Sequence, residues 1–149
     1  KALVPTEKAV PVEEPKAAPT LKGYKILVVD DEPDTLTYLT TVLEDNEAET
    51  LQAADGPTGI ELAKKEKPDL ITLDLSMPGM DGGEVFVQLR EDPETKMIPV
   101  CIVSGKPELR GLIYDKPHRP PEGYLDKPVD EETLVRNVRK ILELSQKQQ

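Results

Sequence analysis

Carboxyl, hydroxyl and ammonium groups follow four separate apolar runs of this sequence. The four segments are Asp30-Asp31-Glu32, Asp74, Ser104 and Asp126-Lys127. Clustered carboxylates repel one another unless a hard cation lies among them, and Mg²⁺ suits such an oxygen-rich site. An aspartate can act as a nucleophile toward phosphorus, while a metal and a lysine neutralise the phosphoryl oxygens in the transition state. If the segments converge, they predict Mg²⁺-dependent phosphoryl transfer to Asp74, with the Ser104 hydroxyl bonded to the product phosphate.

Each segment also has an ordinary structural explanation. The acidic run before a helix complements the helix dipole, and Asp74 before Met77-Pro78-Gly79 can simply start a turn. Ser104-Gly105 is a common loop opening, and a lysine such as Lys127 usually lies at the surface. These explanations lose force jointly, because four independent segments each supply a group that the same chemistry needs.

Alternating strand and helix patterns place the four segments in a sheet. Apolar runs predict strands at residues 25–29, 48–53, 69–73, 98–103 and 124–125. Helical spacing predicts helices at 36–43 and 57–66, one at 83–91 that is opened by Asp81, and a last one after Asp130 as N-cap. Strands that alternate with helices form a parallel sheet with right-handed crossovers, and ligands bind outside its carboxyl ends. The predicted fold class is therefore α/β, a single doubly wound five-stranded parallel sheet of (βα)5 type.

Composition and charge limit the function. Hydrophobic residues make up 37% of the chain and aromatics 3%, so the core must be aliphatic. The net charge of −10 argues against nucleic acid or an anionic membrane as a direct partner, since both need a basic face. No apolar run approaches the roughly 18 residues of a membrane span, and no signal peptide opens the chain. Cys101 is the one cysteine, which excludes an internal disulfide and favours a cytoplasmic location.

Residues 1–23 differ in composition from the rest of the chain. They mix Pro, Ala, Glu and Lys without periodicity, which predicts a linker or disordered tail, either without a role or tethering an upstream domain. Residues 24–145 form the predicted domain, and 146–149 a polar C-terminal tail. Because the chain starts at Lys1, we expect it to be a fragment of a longer protein, with no output domain after the last helix.

The chain resembles receiver domains of response regulators, the CheY-like branch of flavodoxin-like folds. The matching segments are residues 26–33 (ILVVDDEP), 74–82 (DLSMPGMDG), 103–105 (VSG) and 123–128 (GYLDKP). The resemblance spans about residues 24–145 and is specific, because order, spacing and strand context agree. It implies signal relay: a histidine kinase or phosphotransfer protein phosphorylates the domain, which then switches conformation and slowly dephosphorylates itself. The family is a phosphoacceptor signalling domain, not an enzyme acting on other substrates.

The resemblance assigns the pocket residues. Asp74 is the implied phosphoacceptor and also one of the metal-binding residues. Asp31 is the implied direct Mg²⁺ ligand, with Asp30 acting largely through water and the backbone carbonyl of Ser76 completing the protein ligands.

It also implies the parts that switch. Ser104 resembles the hydroxyl that moves toward the phosphoryl group, and Lys127 its charge partner. Tyr124 resembles the aromatic residue whose ring turns inward when Ser104 moves. The Lys127–Pro128 bond resembles the family's cis peptide.

The segment between Ser104 and Lys127 departs from the family pattern. Gly111 lies in its middle and Pro117, Pro120 and Pro121 follow, so we expect a degenerate fourth helix of at most about two turns. We also expect residues 106–121 to be the most mobile part of the domain. The segment has a local charge of about +2, which favours an acidic or unusual partner; the downstream target stays unknown. His118 lacks a partner Cys or His, which favours a solvent-exposed or loop-packing residue over a metal ligand.

Three alternatives stay open at this stage. A haloacid-dehalogenase-type phosphatase also uses an Asp nucleophile, but it needs a second Asp where this chain has Ser76. A pseudo-receiver would lack a pocket residue, and none is missing here. A flavodoxin-type nucleotide binder needs a Gly/Ser/Thr-rich loop after the first strand, where the acidic residues 30–32 would repel a phosphate.

Overall fold

The computed structural model describes residues 21–114 and 117–147, in which strands and helices alternate. In chain order the elements are β1 (Lys25–Val29), α1 (Pro33–Asp45), β2 (Glu49–Ala53), α2 (Gly56–Glu66), β3 (Leu70–Leu73), α3 (Gly82–Glu91), β4 (Val100–Ser104), α4 (Gly111–Tyr114), β5 (Gly123–Asp126) and α5 (Glu131–Lys147). The five strands pair in parallel in the order β2-β1-β3-β4-β5. The predicted doubly wound sheet is confirmed. None of the described helices is long and apolar enough to span a membrane.

Alternate residues of β1 enter two separate cores. Ile26 and Val28 pack with residues of α1 and α5 on one face of the sheet. Leu27 and Val29 pack with residues of α2 and α3 on the other face. Because successive side chains of a strand point to opposite faces, a strand covered on both sides must be apolar throughout. The continuous apolar runs thus specify a sheet that helices cover on both faces. A ligand is then expected at the carboxyl ends of the strands.

Side-chain caps begin two of the helices where the sequence predicts them. The Glu84 N–H donates to Asp81 Oδ1 at 2.9 Å, and the Asp81 N–H donates to Glu84 Oε1 at 3.2 Å, which forms a capping box at α3. At α5 the Thr133 hydroxyl donates to Asp130 Oδ1 at 2.6 Å. Both caps satisfy amide or hydroxyl donors at the carboxyl edge of the sheet, where the helices start.

The fourth helix is as short as its proline and glycine content predicts. A 3₁₀ turn covers Pro107–Arg110, and α4 adds one further turn at Gly111–Tyr114. Between residue 117 and β5 the described chain has no helix. Proline lacks an N–H and clashes with the preceding turn, so the three prolines of this stretch prevent the helix from continuing. The predicted mobility of residues 106–121 stays a prediction.

Ordered structure extends past both predicted domain boundaries, which stay predictions. Leu21 is fully buried in the α1/α5 core and its N–H donates to the Asn46 carbonyl at 3.1 Å, so the packed body includes a residue assigned to the linker. Burying this large apolar side chain outweighs the linker-like composition around it. At the other end α5 extends to Lys147, because no Gly or Pro interrupts the helical pattern after residue 145. Residues 1–20 and 148–149 lie outside the described residues.

Candidate functional site

The carboxyl ends of β1, β3 and β5 bring acidic side chains and one lysine together. Asp30, Asp31 and Asp74 each offer a carboxylate oxygen, and these oxygens lie within 4.8 Å of one another. Lys127 Nζ lies 2.8 Å from Asp30 Oδ2 and 3.6 Å from Asp74 Oδ1. Asp30 and Asp74 are 1% and 3% exposed, so their charges are held largely out of water. The predicted convergence is confirmed for these four residues.

Backbone hydrogen bonds hold the two buried aspartates at the sheet edge. The Asp30 N–H donates to the Ala53 carbonyl at 3.0 Å, and the Asp74 N–H donates to the Val29 carbonyl at 3.0 Å. Each bond continues the parallel ladder one residue beyond its strand. The sheet, and not a flexible loop, therefore sets the separation of the two carboxylates.

The start of α3 also holds Asp74 in place. A Cβ added to Gly82 would overlap the backbone of Asp74 and Leu75, so only glycine allows this close approach. The Gly82 N–H donates to the Leu75 carbonyl at 3.1 Å. Gly82 belongs to one of the matching segments, but no sequence pattern predicted this steric role.

The surroundings of Asp74 make its ionisation costly. Burial and then the charge of Asp30 raise the pKa of Asp74 to about 6, although Lys127 and the Ser76 N–H act in the opposite direction. For Lys127, burial acts to lower the pKa, but the hydrogen bond to Asp30 and the charge of Asp74 outweigh it and raise the pKa. Asp74 therefore ionises near neutral pH beside a lysine that keeps its charge.

The acidic cluster fits a hard cation. Asp74 Oδ1 is buried and accepts no hydrogen bond within the described parts of the chain. Buried polar atoms without a partner are rare in folded proteins. The pocket around it has a volume of about 350 Å³ and is lined by Asp31, Glu32, Asp74, Ser76, Gly105, Lys106 and Lys127. Oxygen donors of this kind suit a divalent cation such as Mg²⁺.

The predicted switch residues, Ser104 and Tyr124, are not among the residues that line this pocket. Ser104 is 4% exposed, and its Oγ accepts a hydrogen bond from the Lys106 N–H at 3.1 Å. The half-buried Tyr124 packs against the α2/α3 core, with the Arg110 guanidinium carbon 5.0 Å from its ring centroid. The peptide bond between Lys127 and Pro128 is cis, which confirms that prediction.

Comparison with known proteins decides the family. The sequence profile described as the response regulator receiver domain matches residues 26–139. The chain belongs to the response regulator receiver domain family. Protein PilH of Pseudomonas aeruginosa is 41% identical to this receiver domain over 118 residues, which are 79% of this chain and 97% of PilH. Chemotaxis protein CheY-3 of Vibrio cholerae is 32% identical over 123 residues, covering 82% and 94% of the two chains.

Solved structures agree with this family. The chemotaxis protein CheY4 of Vibrio cholerae superimposes on this receiver domain with a TM-score of 0.71 and 28% identity, covering 79% of this chain and 98% of CheY4. A CheY-like receiver domain from Methanospirillum hungatei gives a TM-score of 0.76 at 24% identity, over 87% of this chain and 99% of that one, and shows the shared fold. The predicted two-component signalling class is confirmed, and receiver domains of this class interact with histidine kinases or phosphotransfer proteins.

A further carboxylate of the receiver domain joins the pocket. Glu32 Oε1 lies 3.4 Å from Lys127 Nζ and accepts a hydrogen bond from the Thr35 hydroxyl at 3.0 Å. The Thr35 hydrogen bond, followed by the charge of Lys127, lowers the pKa of this exposed side chain. Glu32 belongs to the acidic run 30–32, but no role was predicted for it from the sequence. Its position directly after two pocket aspartates was the available signal.

A second buried charged residue, Arg90, lies at the opposite edge of the sheet. Its role was not predicted from the sequence. Arg90 donates to the carbonyls of Arg119, Ile98 and Pro120 and to Glu122 Oε1, at 3.0, 3.1, 2.9 and 2.9 Å. Its guanidinium carbon also lies 4.7 Å from the centroid of the Phe86 ring. The arginine thus ties the end of α3 to the segment before β5. An arginine on an otherwise apolar helix face was the only local signal.

His118 packs beside the same edge. Its Nε2 lies 3.3 Å from Glu91 Oε2, and the side chain is only partly exposed. Among the described residues, the one group of acidic, His or Cys side chains close enough to hold a metal does not include it. The predicted loop-packing histidine is confirmed.

Proposed function

We propose that this receiver domain accepts a phosphoryl group on Asp74 from a histidine kinase or phosphotransfer protein, in a Mg²⁺-dependent reaction, and then switches conformation to signal. The observation that carries the proposal is the state of Asp74. This carboxylate is buried, lies among two further carboxylates and one lysine, and leaves Oδ1 without a hydrogen bond in the described structure. A structural carboxylate would be satisfied by protein donors.

Asp74 is the proposed nucleophile. A carboxylate oxygen of Asp74 forms a bond to phosphorus as the phosphorus–nitrogen bond of the donor phosphohistidine breaks, and the electron pair of that bond leaves with the imidazole. A pKa of about 6 keeps Asp74 largely ionised at neutral pH yet more basic than an ordinary aspartate. Lys127, 3.6 Å from Asp74 Oδ1, stabilises negative charge on the phosphoryl oxygens.

Asp30, Asp31, Asp74 and the Ser76 carbonyl are the proposed metal ligands. When bound there, Mg²⁺ supplies positive charge against the carboxylates and the phosphoryl oxygens. Asp30 is already engaged, because Oδ1 accepts the Glu32 N–H at 2.9 Å and Oδ2 pairs with Lys127. Asp31 lies half-exposed at the pocket, and its side chain makes no such contact in the described structure. It is therefore the proposed direct ligand, whereas Asp30 acts mainly through water.

The proposed switch starts at Ser104. To reach a phosphoryl group on Asp74, the Ser104 hydroxyl leaves the Lys106 N–H, and the Tyr124 ring then turns inward. The output passes through contacts with other proteins or domains, without catalysis on other substrates. Since histidine kinases draw on ATP, we expect the domain to act in the cytoplasm.

Acetyl phosphate with and without Mg²⁺, followed by intact-mass analysis, tests the assignment. We expect wild type to gain one phosphoryl group only with Mg²⁺ and Asp74→Asn to gain none. Asp126→Asn is a matched control, because Asp126 lies at the same edge but its side chain is 63% exposed and pairs with Arg110. Equal incorporation into wild type and Asp74→Asn would reject Asp74 as the acceptor.

A further inference from the structure

Arg110 links the turn after β4 to the end of β5. Its guanidinium carbon lies 5.0 Å from the centroid of the Tyr124 ring, and its Nη2 donates to Asp126 Oδ1 at 2.9 Å. A cation over an aromatic face is attracted by the negative face of the ring. One side chain therefore holds two residues of β5. The Arg110 side chain is 33% exposed and that of Asp126 is 63% exposed, so water can replace both contacts at modest cost.

The turn that carries Arg110 is attached to the Ser104 hydroxyl. The Lys106 N–H donates to Ser104 Oγ at 3.1 Å, and the Leu109 N–H donates to the Lys106 carbonyl at 2.9 Å. When the Ser104 hydroxyl turns toward a phosphoryl group, it gives up the first of these bonds. The 3₁₀ turn then loses its anchor to β4, and the position of Arg110 over the ring is no longer supported.

We propose that Arg110 is a positioning residue that holds Tyr124 in its phosphate-free arrangement and thereby opposes activation. This inference rests on the proposed function, because it takes Ser104 and Tyr124 as the moving parts. A contact made only in the resting state stabilises that state, and a ligand that favours the other state must overcome it. An exposed cation–π contact corresponds to a shift of about two- to fivefold, to which an exposed ion pair adds little.

Titration with beryllofluoride at fixed Mg²⁺ tests the role of Arg110, with the amide resonance of Gly105 as the readout. Arg110→Met keeps the aliphatic stem but removes the charge from both contacts. Asp126→Asn removes the ion pair and keeps the cation over the ring. Arg139→Met is the matched control, because Arg139 is a half-exposed arginine of α5 that pairs with Glu143 at 3.1 Å.

We expect Arg110→Met to lower the beryllofluoride concentration at the midpoint about two- to fivefold. Asp126→Asn should lower it less, and Arg139→Met should leave it unchanged. An unchanged or higher midpoint for Arg110→Met, or an equal decrease for either other variant, overturns the inference while the proposed function stands. If wild type does not bind beryllofluoride at all, both the proposed function and this inference fail.

Discussion

Two buried charged clusters lie at opposite edges of the same sheet, and they are completed in opposite ways. At the amino edge, Arg90 is 7% exposed and directs its N–H groups at three carbonyls and the Glu122 carboxylate. At the carboxyl edge, the pocket around Asp74 holds several carboxylates against one ammonium group. The arginine donates four hydrogen bonds to protein acceptors, whereas Asp74 Oδ1 has no hydrogen-bond donor in the described structure.

The difference separates a charged residue that stabilises the fold from charged residues that can bind a ligand or take part in a reaction. A buried charge that is fully hydrogen-bonded adds to the fold without needing anything else. A buried cluster with excess charge is costly, and it persists where a ligand or a reaction supplies the missing partner. The two edges therefore predict different responses to substitution.

Arg90→Met should destabilise the fold by about 3 to 5 kcal/mol, because it leaves three carbonyls without their side-chain donor and removes the buried cation that pairs with the Glu122 carboxylate. Urea unfolding followed by circular dichroism measures the change. Arg139→Met on α5 serves as the control and should leave the urea midpoint unchanged. A loss below about 1 kcal/mol for Arg90→Met would mean that water replaces the arginine and that the amino-edge cluster is not structural.

Asp74→Asn should stabilise the metal-free protein at pH 7.5 by up to about 3 kcal/mol, at about 1.4 kcal/mol for each unit of pKa. The folded pKa of about 6 lies above the ordinary 3.8, so ionisation of Asp74 opposes folding. The cost is complete above pH 6, fades as the pH falls from 6 to 4, and is absent below that range. Urea unfolding of both proteins in EDTA across this range measures it. A difference that does not change with pH would contradict the raised pKa.

Asp31→Asn should weaken Mg²⁺ binding by about tenfold, since it removes one unit of charge and the proposed direct ligand. Asp30→Asn should weaken it less, because the Asp30 carboxylate already bonds the Glu32 N–H and pairs with Lys127. Isothermal titration with Mg²⁺ compares the two variants with wild type. Unchanged affinity in Asp31→Asn would reject the direct-ligand role.

Glu32→Gln should have the smallest effect, with no measurable change in the urea midpoint at pH 7. Its carboxylate is exposed and its ion pair with Lys127 is 3.4 Å long. Such pairs contribute little in water. Because the pKa of Glu32 is lowered, any contribution is present at neutral pH and lost on acidification through that pKa. A clear loss of stability at neutral pH would show that Lys127 depends on Glu32 as well as on Asp30.

The amino-edge cluster also revises the expectation for the shortened fourth helix. The sequence predicts mobility across residues 106–121, because glycine and prolines prevent a helix. Arg90, however, binds the carbonyls of Arg119 and Pro120, and Glu122 accepts the Val100 N–H at 2.7 Å. The Glu122 N–H also donates to the Val100 carbonyl at 2.8 Å, so we expect this amide hydrogen to exchange slowly and the prediction of mobility to apply only to the residues before this stretch. Fast exchange at residue 122 would oppose this.

The sequence by pattern alone indicated a five-stranded parallel sheet and the residues that lie at its carboxyl edge. Short, β-branched apolar runs that alternate with helical patterns indicate strands covered on both faces, and a parallel sheet must place Asp30, Asp74 and Lys127 at one edge. The helix starts at Asp81 and Asp130 follow from local capping chemistry. Each of these inferences needs only neighbours along the chain or the rule that the carboxyl ends of parallel strands share an edge.

The contacts between charged side chains follow from the tertiary structure alone. Lys127 lies closer to Asp30 than to Asp74, and Arg110 lies over Tyr124, because side chains from different elements settle according to space and solvent exposure. Leu21 joins the core and Arg90 finds four acceptors for the same reason. Burial and the geometry of a hydrogen bond depend on atoms far apart in the chain, and no local pattern of residue types encodes them.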